Sequence, residues 1–190
     1  YREYKNRRVQ DDEALHDLHT AFAGKTVLVL APGASLATPE GQAAVAAADA
    51  DVSVSVNFVP NGRAVDYAFF SNAKRFEEDK TYPCRLILTS NLRSARQAAV
   101  LNYDRLSTAD DQGGNSMLML LRLLRLCDAA KVRLAGADGY RPGTAAYADA
   151  GLHTHTGRGE SYNQQVAGAM RTVGLPIEFL TPSEYEGAMP

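Results

Sequence analysis

The residues of this chain that could do chemistry are neutral amides, hydroxyls, one carboxylate, a few tyrosines and a pair of histidines. They gather at breaks in apolar sequence. The first break is Ala31-Pro32-Gly33-Ala34-Ser35-Leu36, directly after Val27-Leu28-Val29-Leu30. A turn of this kind lets backbone N–H groups face an anion with no side chain in the way. Later breaks repeat the pattern with Asn57, Ser71-Asn72, Thr89-Ser90-Asn91 and Gly136-Ala137-Asp138-Gly139-Tyr140. Amides and hydroxyls both donate and accept, so such a set suits ribose hydroxyls, base edges and phosphate oxygens without the desolvation cost of a charge. Gly113-Gly114-Asn115-Ser116 precedes an apolar helix whose first N–H groups can take an anion or a side-chain cap.

A late polar stretch carries Tyr140, Arg141, Tyr147, His153, His155 and Arg158. The spacing His153-Thr154-His155 could chelate a metal, but no third ligand stands at a matching distance, so no metal is expected. Imidazole titrates near neutral pH, which makes a general base or a phosphate contact the functional reading of the pair. Asp138 could hold a ribose or orient a base. Each of these residues also has a plainer explanation. Asn, Asp, Ser and Gly end strands because they cap helices and tolerate turn geometry, and loop histidines are commonly solvated.

The elements that must position these residues follow from periodicity. Short Val/Leu-rich runs alternate with helical stretches, the pattern of a doubly wound, mainly parallel α/β/α sheet of Rossmann-like type. The runs predict strands over Thr26–Ala31, Val52–Val56, Tyr67–Phe70, Arg85–Leu88, Val132–Ala135 and Ile177–Leu180, with a further short one over Ala98–Leu101. Helices are expected over Asp12–Phe22, Pro39–Ala48, Asn72–Asp79, Asn115–Cys127 and Glu160–Val173, and loops over Asp104–Gly114 and Asp138–Gly159. The second loop runs to about twenty residues, a length that is often functional. A parallel sheet gathers all of the strand-end residues on one edge, where open α/β sheets bind ligands. Residues 1–23 read as a charged linker with a short helix, and 24–190 as a single domain.

Composition narrows the function classes. The chain has 190 residues and a net charge of −2, so no basic surplus points to nucleic acid. No apolar run approaches the ~20 residues of a membrane span. The turn after the first strand lacks Gly-Lys-Ser/Thr and G-x-G-x-x-G, and no Gly-x-Ser-x-Gly elbow occurs, which speaks against P-loop, dinucleotide and hydrolase chemistry. Two cysteines, Cys84 and Cys127, without metal-ligand spacing fit reduced thiols and a cytoplasmic setting. Tyr1 stands where a start methionine is expected, which points to a piece of a larger protein.

Two resemblances add to this reading. The motifs resemble those of Campylobacter-type bacterial sialyltransferases, in which a Gly-x-Gly-x-Ser-Leu turn follows the first strand. Here Gly33, Ser35 and Leu36 match, with Ala31 in place of the first Gly. Asn57, Asn72, Gly114-Asn115-Ser116, Gly136-x-Asp138-x-Tyr140, Tyr147 and His153-Thr154-His155 are similar to that family's further motifs. The resemblance implies a CMP-sugar ligand held by Gly33, Ser35, Asn57 and Asn72. It implies tyrosines 140 and 147 on the leaving phosphate, and His155 as the base that deprotonates the acceptor. Leu30–Ser35, Ser55–Pro60 and Phe70–Arg75 also resemble the C-terminal region of bacterial proteins described as HMGL-like or 4-hydroxy-2-oxovalerate aldolases. That resemblance implies an upstream TIM-barrel lyase domain as partner.

The leading expectation is therefore a domain that binds a nucleotide or nucleotide-sugar and serves as the accessory part of an aldolase-type protein. Its catalytic candidates are His155 and Asp138. Its ligand-binding candidates are Gly33, Ser35, Asn57, Asn72, Asn91, Asn115, Tyr140, Tyr147 and His153. The alternatives are a metal-independent glycosyltransferase with His155 as base, and a non-catalytic interaction domain.

Overall fold

A computed structural model describes residues 7–94, 97–108, 114–141 and 159–186. The described chain runs α1 (Asp12–Phe22), β1 (Thr26–Leu30), a 3-10 turn (Ala34–Ala37), α2 (Pro39–Ala47), β2 (Val52–Val56), β3 (Tyr67–Phe70), β4 (Arg85–Thr89) and β5 (Ala99–Leu101). It continues through α3 (Tyr103–Leu106), α4 (Ser116–Leu126), β6 (Lys131–Ala135), α5 (Glu160–Val173) and β7 (Ile177–Phe179). The strands form a seven-stranded sheet in the order β5-β4-β3-β2-β1-β6-β7. Every pairing is parallel. From β1 the chain winds outward through β2 to β5, then returns to place β6 on the other side of β1. The boundary between β1 and β6 is thus the topological switch point, the place at the carboxyl ends of the strands where open α/β sheets bind ligands.

Alternation along each strand divides the apolar residues between two faces. Val27 and Val29, Val54 and Val56, Phe69, Ile87, Val132 and Leu134 point to a large core shared with Phe22 of α1, the apolar side of α4, and Val166 and Met170 of α5. On the opposite face, Leu28, Leu30 and Ala135 pack with Val45 of α2. Beyond α2, Ala68, Phe70, Leu86 and Leu88 are covered by Val59, Phe76 and Tyr82 from connecting segments.

Local chemistry sets the helix starts. The Thr38 hydroxyl accepts the Gly41 N–H at 3.0 Å, and Pro39 occupies the first turn of α2. The Asn115 carboxamide oxygen accepts the N–H groups of Met117 and Leu118 at 3.0 and 3.1 Å, which starts α4. The helix expected over Asn72–Asp79 does not form. The Asn72 side chain instead accepts the Lys74 N–H at 2.9 Å in a local turn, an alternative to helix that Asn offers readily. Glu77, Glu78 and Asp79 would also have put three carboxylates at the negative end of that helix. Phe76 and Tyr82 stack with ring centroids 5.8 Å apart and both pack on Phe70, so aromatic burial organises the segment. The loop expected from Asp104 begins in a helical turn, since Tyr103–Leu106 is α3. Residues 7–11 dock beside it: Asn102 exchanges two hydrogen bonds with the Val9 backbone, and buried Asp11 accepts from the Asn102 N–H and from Arg105.

Candidate functional site

The switch point is closed by two turns locked face to face. The Gly33 N–H donates to the Gly136 carbonyl at 2.7 Å, extending the β1–β6 ladder past the ends of both strands. A Cβ at Gly33 would overlap that carbonyl and the Asp138 carboxylate. Gly136 has φ +73°, and a Cβ there would overlap the Ala31 carbonyl. Both positions therefore require glycine, for close approach at the first and for backbone conformation as well at the second. Within this lock the Ser35 N–H donates to Asp138 Oδ2 at 2.7 Å, and the Ser35 hydroxyl donates to Asp138 Oδ1. Asp138 thus ties the turn after β1 to the turn after β6. Each carboxylate oxygen retains accepting capacity beyond these bonds.

A second polar group lies at the ends of β2, β3 and β4, against the N-terminus of α4. Asn57 adopts φ +58°, a left-handed conformation that Asn tolerates better than most residues. Its Nδ2 donates to Ser116 Oγ at 2.6 Å and its Oδ1 accepts the Ser71 N–H at 3.1 Å. The hydroxyls of Ser71 and Ser116 share a hydrogen bond of 2.5 Å. Asn91 Nδ2 donates to the Ser71 carbonyl at 2.9 Å, and Thr89 donates to Asn91 Oδ1 at 2.6 Å. Asn57, Ser71, Ser116, Thr89 and Asn91 thus form one connected network.

A third group continues from α4 to α5. Asn115 Nδ2 donates to the Tyr162 hydroxyl at 3.1 Å, and the Tyr162 ring meets Tyr140 edge-on with centroids 5.4 Å apart. Buried Asn163 accepts the Tyr140 N–H at 3.0 Å and donates to the Tyr140 carbonyl at 2.9 Å. Tyr140 is therefore held at its backbone and its ring.

The predicted site residues divide accordingly. Gly33, Ser35 and Asp138 meet at the β1–β6 switch point. Asn57 and Asn91 share the network at the strand ends, and Asn115 caps α4 beside it and meets Tyr140 through Tyr162. Asn72 serves its own turn. Tyr147, His153 and His155 lie outside the described residues. Among the described residues, no group of three or more His, Cys, Asp or Glu could hold a metal ion. No helix among them is long and apolar enough to cross a membrane.

Sequence reasoning missed Ser71 and Ser116 as partners of Asn57, and Tyr162 and Asn163 as holders of Tyr140. Asn163 carried a readable signal, a single amide on the apolar side of an amphipathic helix. Sequence reasoning also missed a groove of about 690 Å³ that runs from Pro32 and Asn57 past Arg63, Arg75 and Lys80 to Tyr82. Both cysteines are free, and Cys127 is fully buried. Burial, with the Asp128 carboxylate adding to it, pushes the Cys127 thiol up to about 12, so it stays protonated and unreactive.

No protein-family model matches this chain, and no curated protein does. Among solved structures it is similar to a mammalian sialyltransferase crystallised in complex with Gal-β-1-3GalNAc-ortho-nitrophenol. The TM-score is 0.51 at 13% identity, over 94% of this chain and 83% of that one. The fold is sialyltransferase-like. That agrees with the architecture expected from the motifs around Gly33, Asn57 and Asp138. Nothing found in these comparisons supports an aldolase relationship.

Proposed function

We propose that this chain binds a nucleotide-sugar along the carboxyl edge of its sheet and works as a glycosyltransferase domain. The observation that carries the reading is the convergence of the Gly33 turn, Ser35 and Asp138 at the topological switch point, in a sialyltransferase-like fold. The Asn57–Ser71–Ser116 network lies on the same edge and offers neutral donors and acceptors for a ribose, base or sugar. In glycosyl transfer the acceptor hydroxyl forms a bond to the anomeric carbon as the bond to the nucleotide phosphate breaks. The hydroxyl proton must leave to a base, and negative charge grows on the departing phosphate. In this reading His155 takes the proton, and the hydroxyls of Tyr140 and Tyr147 stabilise the phosphate. Asp138 holds the turn after β1 and retains lone pairs for a ligand hydroxyl.

Calorimetry of the chain against CMP, UMP and their sugar conjugates tests the binding. Saturable heat with one nucleotide is expected. No heat at millimolar ligand from folded protein refutes the reading. His155→Ala should abolish transfer while leaving nucleotide affinity within about twofold, since a base acts on the reaction rather than on ground-state binding. Loss of both together removes His155 from the role.

A non-catalytic interaction domain is the second reading. The Asn72 amide bonds to its own turn, and Asn91 bonds within the strand edge, as a purely structural edge would arrange them. In that case no nucleotide competes with these bonds, and the same calorimetry stays silent.

A further inference from the structure

The groove beside the strand ends has a charge that the chain as a whole lacks. The chain carries a net −2. The groove nevertheless gathers Arg63, Arg75 and Lys80 against Glu77 alone. It lies on the face of the sheet that α2 covers only in part. Its lining includes Pro32 and Asn57 from the strand edge and Tyr82 from the segment before β4. At about 690 Å³ it is large enough for a sugar-sized molecule.

The cations are set differently. Arg63 is anchored: its Nη2 donates to the Val45 carbonyl at 3.2 Å, while its Nε is buried with no hydrogen-bond partner among the described residues. With one N–H of Nη2 so held, the guanidinium keeps further N–H donors and a fixed positive charge on the groove wall. Lys80 is exposed. It pairs with Glu77 at 3.2 Å and lies 5.9 Å from the centre of the Tyr82 ring. An exposed pair of this kind is worth little, so the ammonium can turn to a ligand at small cost. Arg75 keeps partners within the protein and adds its charge to the same wall.

We infer that this groove is an anion-selective subsite that takes the phosphate or carboxylate of a sugar-sized molecule, with the rest of that molecule reaching toward Asn57. That the molecule it holds takes part in glycosyl transfer rests on the proposed function; its preference for an anion does not. The positive wall also gives such a ligand a salt-dependent attraction that a neutral sugar lacks.

The test titrates the chain with glucose 6-phosphate, glucuronate and glucose, followed by NMR or calorimetry. At least one of the two anionic sugars should bind, glucose should not, and binding should weaken with salt. The two anionic arms tell a phosphate from a carboxylate as the preferred group. The double variant Arg75→Gln/Lys80→Gln, in the segment between β3 and β4, should weaken the anionic sugar by ~tenfold or more while leaving the affinity for uncharged cytidine unchanged. Arg63→Lys keeps the charge but loses the fork, and should weaken binding by a smaller factor. Binding of glucose as tight as that of its anionic relatives, no binding of either anion, or affinity indifferent to the double variant would overturn the inference. If CMP fails to bind while an anionic sugar does, the glycosyltransferase reading falls and the anion subsite stands.

Discussion

Asp138→Ala separates a carboxylate that holds the fold from one kept for a ligand alone. The structure gives Asp138 two hydrogen bonds from one residue, the Ser35 N–H at 2.7 Å and the Ser35 hydroxyl. A hydrogen bond to a charged group contributes about 1.5–3 kcal/mol, and half-burial places each of these at the low end. Removing the carboxylate loses both bonds, so the cost should be roughly 2–4 kcal/mol. For a chain of this size that lowers the melting temperature by roughly 6–12 °C. Ser35→Ala removes only the hydroxyl bond and should cost roughly half as much. In a double-mutant cycle the coupling between the two positions should be about 1–2 kcal/mol, since the backbone N–H bond is absent whenever the carboxylate is. Urea melts followed by circular dichroism give all four stabilities. An Asp138→Ala protein as stable as the parent, or a coupling near zero, would refute the idea that this carboxylate ties the two turns together. A gain in stability would mark Asp138 as a group kept at the expense of the fold.

Gly33→Ala forces a methyl group into the Gly136 carbonyl and the Asp138 carboxylate, so the domain should lose several kcal/mol or fail to fold; a wild-type melt would count against the turn-to-turn lock. Asn163→Ala removes both bonds to the Tyr140 backbone and should cost about 2 kcal/mol in the same melts, with an unchanged midpoint as the contrary result. The Cys127 thiol is raised to about 12 in the folded protein, so its contribution to stability is intact below the ordinary thiol value of 9.0. Above that pH the unfolded chain ionises first, and stability should fall by up to ~1.4 kcal/mol per pH unit, a component that Cys127→Ala lacks. The same burial predicts that iodoacetamide modifies Cys127 only on unfolding; rapid labelling of native protein would contradict it.

The strands were legible because parallel strands covered on both faces read as unbroken Val, Leu and Ile, as in Val27–Leu30 and Leu86–Leu88. Parallel pairing alone places Gly33 and Asp138 on one edge of the sheet. The Asn72–Asp79 segment misled because helical spacing says nothing of a local Asx turn or of two aromatic rings with a third to pack on. Ser71 and Ser116 lie too far apart in sequence for spacing to pair them, and only the packing of α4 against β2 brings the Ser116 hydroxyl to Asn57 and to the hydroxyl of Ser71. The cations Arg63, Arg75 and Lys80 fall in connecting segments without periodicity. Their shared placement became visible once β2 and β3 lay side by side. The histidine pair that carries the proposed proton transfer was read from sequence only, and its role rests on the variant test above.

The most direct measurement is a crystal structure of the chain with a cytidine nucleotide. The account predicts density over the carboxyl edge, with the nucleotide in contact with the Gly33–Ser35 turn and Asn57 and the start of α4 alongside. A nucleotide bound on another face of the molecule, or an empty edge at saturating ligand, would contradict it.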